Sequence, residues 1–120
     1  MRNDENLIEG KTYAFAIRMV NAYQYLEKTY RGFALSSQLL RSGTSIGAMV
    51  HEAKFAQSRA DFINKLSIAL KEANETKYWI RLFHDTHYLD DAMYDSIYSD
   101  VKEIVAMLVS IVRTSKDNNV

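Results

Sequence analysis

Gly43 and Gly47 lie one helical turn apart within Leu39-Leu40-Arg41-Ser42-Gly43-Thr44-Ser45-Ile46-Gly47-Ala48, and this pairing constrains the fold more than any other feature. A glycine inside a helix costs about 1 kcal/mol relative to alanine. Two on one stripe are retained where a neighbouring helix comes close, so the segment points to packing rather than to chemistry. The 120 residues contain no proline, which favours long uninterrupted helices over turn-rich sheets. They contain no cysteine either, so neither disulfides nor thiolate metal sites hold the chain, as suits a reducing cytoplasm.

Four helices fit the punctuation of residues 1–120, which read as one domain long enough to bury its own core. The first runs from about Gly10 or a little earlier to Tyr30, before the helix stop Arg31-Gly32. Phe15, Met19, Ala22, Tyr23, Leu26 and Tyr30 form its inner stripe, and Ile17, Asn21, Gln24 and Lys28 face away. The second starts at an N-cap, Ser36 or Ser37, and continues to about Gln57 with Leu39, Gly43, Ile46, Gly47, Val50 and Ala53 inward. Ser58-Arg59-Ala60-Asp61 resembles a capping box and opens the third, which reaches about His84. Its inner residues are Phe62, Ile63, Leu66, Ala69, Leu70, Ala73, Ile80 and Phe83. Asp90 or Asp91 caps the fourth, whose stripe of Tyr94, Ile97, Tyr98, Val101, Ile104, Val105, Leu108, Ile111 and Val112 ends near Ser115. Asp117 to Val120 reads as a frayed tail. Short connections make neighbours antiparallel, so the fold expected is an all-α, up-down-up-down four-helix bundle.

The second and third helices carry surplus on the side away from that core. Opposite the inner stripe of the second lie Arg41, Thr44, Ser45, Ala48, Glu52 and Phe55; opposite that of the third lie Ile68, Lys71, Glu75, Tyr78, Trp79 and Leu82. Aromatic enrichment with sparse charge marks interface centres. Arg41, Phe55, Ile68, Lys71, Glu75, Tyr78, Trp79 and Leu82 are therefore the candidate oligomer interface, with Arg41 and Glu75 as polar anchors. Against this stands a lopsided monomer core that folds these side chains under the loops.

Leu40 to Ala48, followed by Glu52-Ala53, resembles the signature of the bacterial four helix bundle protein family, some of whose members are encoded by intervening sequences inside 23S ribosomal RNA genes. Asp61-Phe62-Ile63-Asn64-Lys65-Leu66-Ser67-Ile68-Ala69-Leu70-Lys71-Glu72-Ala73, then Glu75-Thr76-Lys77-Tyr78-Trp79, is similar to the same family. The likeness covers nearly the whole chain, with its specific motifs in the second and third helices. It implies a homopentamer of bundles with nucleic-acid association and no established enzyme activity. The accessory proteins of diversity-generating retroelements resemble it too; they partner reverse transcriptase and RNA and are markedly basic, whereas this chain is neutral.

Fifteen basic and fifteen acidic residues cancel, which lacks the footprint of a strong nucleic-acid binder. The distribution is uneven: from Lys11 to Arg81 there are eleven Lys/Arg against five acids, and from Leu82 onward seven acids against three bases. The helix order brings Lys11, Lys54, Arg59, Arg113 and Lys116 toward one end, where repetition around a ring raises their joint potential. An ordinary solvated helix end accounts for the same residues. His84 and His87, beside Asp85, Asp90 and Asp91, have ligand chemistry for zinc, yet straddle a helix end that favours histidine through its dipole. A di-iron bundle needs Glu-x-x-His on two helices, and here Glu52 is followed by Phe55 and Glu72 by Glu75. Ser42, Thr44 and Ser45 read as packing residues.

The function expected is a non-enzymatic, self-assembling bundle, with no metal and no cofactor, that associates with RNA or a ribonucleoprotein. An adaptor ring that docks another polypeptide is the alternative, and a carboxylate metalloenzyme ranks last. Met1-Arg2-Asn3-Asp4-Glu5 leads into no apolar signal core, and no run approaches the roughly 18 apolar residues of a membrane span. A cytoplasmic protein without membrane contact is the expectation.

Overall fold

The computed structural model describes residues 3–117, which form α1 (Asn3–Thr29), α2 (Ser36–Ala53), α3 (Arg59–Asp85) and α4 (Asp91–Asp117). Each helix packs on the next and α1 closes on α4, while the diagonal pairs stay apart. The result is an antiparallel four-cornered bundle, 49 × 22 × 19 Å. Its core is assembled from one stripe per helix: Phe15, Met19 and Leu26; Leu39, Ile46 and Val50; Leu66, Ala73, Ile80 and Phe83; Val101, Ile104, Leu108 and Ile111. Burying each large side chain contributes about 1.5–3 kcal/mol. Tyr23, Tyr30, Phe62, Ile63, Leu70, Tyr94, Tyr98 and Val105, expected inward, are half-buried at the margins of these stripes. Buried Ile8 and Thr12 extend the α1 stripe upstream of the expected start.

The glycines act as their spacing requires. A Cβ on Gly43 would fall inside the Met19 side chain, and one on Gly47 would sit 3.1 Å from the Thr12 carbonyl oxygen. Their missing side chains let α1 ride directly on α2. Between α2 and α3 the contact is also small and is hydrogen-bonded: buried Thr76 donates to the Glu72 carbonyl at 2.8 Å, and its hydroxyl oxygen lies 3.0 Å from that of Ser42, which is free to donate to it.

Four boundaries differ from the sequence reading. α1 begins at Asn3, with Asp4 and Glu5 in its first turn where the helix dipole favours acids. α2 is preceded by Leu35 and has no side-chain cap, because Ser36 and Ser37 turn their hydroxyls back to the carbonyls of Phe33 and Ala34. It ends at Ala53 rather than Gln57. Phe55 and Ala56 tighten onto the carbonyls three residues back, and Ser58 must be extended to cap α3 by accepting from the Asp61 amide at 3.0 Å. α4 stays helical through Asp117, and the rest of the expected tail, 118–120, lies outside the described residues. The other two predicted stops hold: Gly32 takes a left-handed φ of 81° after α1, and Asp90 accepts from the Met93 amide at 2.8 Å to start α4.

Candidate assembly interface

The outer edge between α2 and α3 is organised around Arg41. Its guanidinium donates to Glu72 at 3.1 Å and to Glu75, and its Nε donates to Gln38 at 3.3 Å. Glu75 also accepts from the Trp79 indole N–H at 3.0 Å, and Tyr78 meets Trp79 edge-on with centroids 5.1 Å apart. This brings four of the eight predicted interface residues (Arg41, Glu75, Tyr78 and Trp79) into one network. Trp79 and Leu82 are half-buried and pack against the core, so part of the predicted surplus is consumed within the chain. Ile68 is half-buried, and Lys71 is exposed and ion-paired to nothing among the described residues. Tyr78 remains 58% exposed and Phe55 71% exposed. The Phe55 ring meets that of His51 edge-on, centroids 5.5 Å apart, and lies 5.8 Å from the Lys54 ammonium, past the end of α2. It stands about 24 Å along the bundle from Tyr78.

A second face, between α1 and α2, was missed by the sequence reading. Tyr13, Ile17 and Val20 of α1 are exposed there, and Leu7 is exposed one turn before Lys11, on the α4 side. Two of the charges interspersed with them in sequence are drawn to the α4 side, Lys11 to Glu103 and Arg18 to Asp100, each at 2.6 Å, while Glu9 stays on the α2 side. From Asn6 to Gln24 the outward line of α1 (Asn6, Gly10, Tyr13, Ile17, Val20, Gln24) therefore carries no charge. Beside it, a groove of about 670 Å³ is lined by Gly10, Tyr13, Ala16, Gly47, Ala48 and His51, with Glu9 the acid at its border. The signal was present in Ile17, an apolar residue on the outward side. Taken with Tyr13 and Val20 it makes a stripe; taken alone it passes for ordinary surface.

The five basic residues do gather at one end of the bundle, but two are neutralised. Lys11 is held by Glu103, and Lys54 by Glu9 at 2.9 Å. Arg59 lies over the Phe62 ring, while Arg113 and Lys116 border a shallow cavity with Leu70 and Val112.

At the opposite end His84 Nε2 donates at 2.7 Å to the Asp91 carboxylate, and the ring lies 3.6 Å from Asp85 and is stacked on Tyr94. The hydrogen bond to Asp91 holds the imidazole pKa above its usual 6.5, reinforced by Asp85 and Asp95 against partial burial. His87 follows in the connection with a left-handed φ of 71°. Both border a cavity of about 660 Å³, yet among the described residues no three His, Cys, Asp or Glu side chains are placed to hold a metal ion.

Residues 5–110 match the profile of the 23S rRNA-intervening sequence protein family. The chain belongs to that family. It is also 52% identical to a Bacteroides thetaiotaomicron protein of unknown function from the S23 ribosomal protein family, whose crystal structure superposes with a TM-score of 0.89. That alignment covers 92% of this chain and 98% of the other. No curated protein matches the sequence. The match to the intervening-sequence family thus reaches into all four helices. Among the described residues no helix is long and apolar enough to cross a membrane.

Proposed function

We propose that this chain is a non-enzymatic, self-assembling four-helix bundle that works in the cytoplasm as a homopentamer. One observation carries the reading. The folded subunit leaves Leu7, Tyr13, Ile17, Val20, Phe55 and Tyr78 exposed, on faces where charge is sparse or already paired. Exposed aromatic and aliphatic side chains with little free charge among them are characteristic of protein contacts. Five is the subunit number the family resemblance implies.

RNA or a ribonucleoprotein is the partner that the description of the family suggests. In each subunit Arg59, Arg113 and Lys116 supply the basic charge for it, repeated around the ring. The pairing of Lys11 and Lys54 with carboxylates favours the second reading, an adaptor ring that binds a polypeptide. Native mass measurement of the purified protein, with and without RNA, tests both. The expected result is five copies at micromolar concentration, and a single-chain mass at tens of micromolar overturns self-assembly. RNA retained on the oligomer at low salt supports the first partner; its absence from the oligomer leaves the adaptor.

A further inference from the structure

We infer that the cavity between the C-terminal end of α1 and the α3–α4 turn receives an arginine side chain of a basic polypeptide. This rests on the adaptor reading above and names the chemistry of the partner such an adaptor takes. The cavity holds about 660 Å³, within the roughly 300–1,000 Å³ of ligand sites. Tyr25 and Tyr30 of α1 and Tyr88 of the turn bring aromatic rings to its lining, and Asp85, Asp90 and Asp91 bring carboxylates. Among the described residues no lysine and no arginine borders it. Lys28 and Arg31 follow Tyr25 in sequence but stand outside the lining.

The walls are set by packing within the chain. Tyr88 stacks on Phe33 with centroids 3.8 Å apart and meets Tyr30 edge-on at 4.9 Å. The Tyr88 and Leu89 amides both donate to the Phe83 carbonyl, and the Leu89 side chain is buried, so the turn is anchored to the core. The acids, by contrast, are only partly answered. Asp91 accepts from His84, and Asp85 has the Arg81 guanidinium 4.0 Å away, at the outer limit of an ion pair. Asp90 accepts from the Met93 amide and meets no cation among the described residues.

This lining selects its occupant. Three carboxylates repel the phosphates of RNA. No three His, Cys, Asp or Glu side chains among the described residues converge as metal ligands. An apolar chain would cover the carboxylates and leave them without partners. A guanidinium satisfies both kinds of wall: its plane stacks on a tyrosine ring, and its forked N–H groups donate to carboxylates. An ammonium has the charge but neither the plane nor the fork. The space exceeds what one side chain fills, and Asp90 and Asp91 stand exposed at its rim, which leaves room for the residues on either side of the arginine.

Peptide titration of the full-length protein, purified free of RNA, tests the site. The probe is a fluorescein-labelled Gly-Arg-Gly-Arg-Gly peptide, compared with counterparts that carry lysine or glutamate in place of arginine. Anisotropy is expected to saturate with the arginine peptide, to rise more weakly with the lysine peptide and to stay flat with the glutamate peptide. Amide shifts in nuclear magnetic resonance should concentrate at Tyr25 and from His84 to Asp91. Asp85→Asn with Asp90→Asn keeps the helix cap, because asparagine caps as well as aspartate, and should weaken binding at least about tenfold. Tyr25→Ala, at a ring that is 40% exposed, should weaken it about two- to fivefold. Circular dichroism melts establish that both variants remain folded. Absence of binding, equal binding of the lysine peptide, or binding that neither variant weakens overturns the arginine site and leaves the adaptor reading in place. RNA retained on the oligomer in the native mass measurement removes the adaptor reading, and this partner with it.

Discussion

Met19 and Gly43 set the tightest constraint in the molecule. Met19 is fully buried, and its side chain occupies the space a Cβ at position 43 would need. Gly43→Ala gains about 1 kcal/mol of helix propensity but must displace a packed core side chain, an overpacking cost of about 1–3 kcal/mol that leaves a net loss. Met19→Ala loses about 2–5 kcal/mol to a cavity. Because the alanine at 43 partly fills that cavity, the double variant is expected to be more stable than the sum of the two changes by at least about 1 kcal/mol in denaturant melts. Strict additivity would mean the two residues do not share this space. His87 is the other residue-scale anomaly. Tyr88 donates to the Phe83 carbonyl at 2.8 Å and His87 to that of His84 at 3.0 Å, a Schellman end to α3 with histidine where glycine is usual. The left-handed backbone costs a side-chain-bearing residue about 1 kcal/mol, partly recovered from its lower unfolded-state entropy. His87→Gly should therefore stabilise the bundle by about 0.5 kcal/mol, seen as a small rise in Tm; a fall would show that the imidazole does more than cap.

Among the elements, legibility tracked periodicity and local hydrogen bonding. α4 is readable up to its last turn because Ile97, Val101, Ile104, Leu108 and Ile111 recur at helical spacing with polar residues between them. The start of α3 was readable because Ser58 has one good use, capping Asp61. The start of α2 was not, since a serine hydroxyl competes equally well for a carbonyl upstream, and that bond won at Ser36 and Ser37. The turn between α3 and α4 carries a pH-dependent contact. The His84 pKa is raised by Asp91, so its stabilisation is fully present below about 6.5 and is lost as pH climbs through the raised value. Nuclear magnetic resonance titration should find His84 protonated at higher pH than a free histidine. Asp91→Asn should lower that midpoint and flatten the decline in Tm between about pH 6 and 8. An unchanged midpoint in Asp91→Asn would remove the hydrogen bond as its cause.

For the molecule as a whole, the polar anchors of helices two and three were legible in the sequence, whereas the exposed apolar line of α1 was not. Arg41, Glu72 and Glu75 could be paired on paper because they sit on facing outer positions, and the structure joins them. The α1 face depends on where Lys11 and Arg18 send their charges, which is fixed by α4 and invisible in α1 alone. This distribution separates the two activities proposed for the ring by their response to salt. Contact through Tyr13, Ile17 and Val20 is dominated by the removal of apolar surface from water, so sodium chloride from about 0.05 to 1 M should leave the oligomer mass unchanged. RNA held by Arg59, Arg113 and Lys116 releases counterions instead. Three phosphate contacts predict a loss of about 20- to 40-fold in affinity between 50 and 200 mM salt, measurable by fluorescence anisotropy. An oligomer that dissociates with added salt would place the subunit contact on the Arg41 network rather than on α1. RNA binding that survives the same change would move its site away from the basic end.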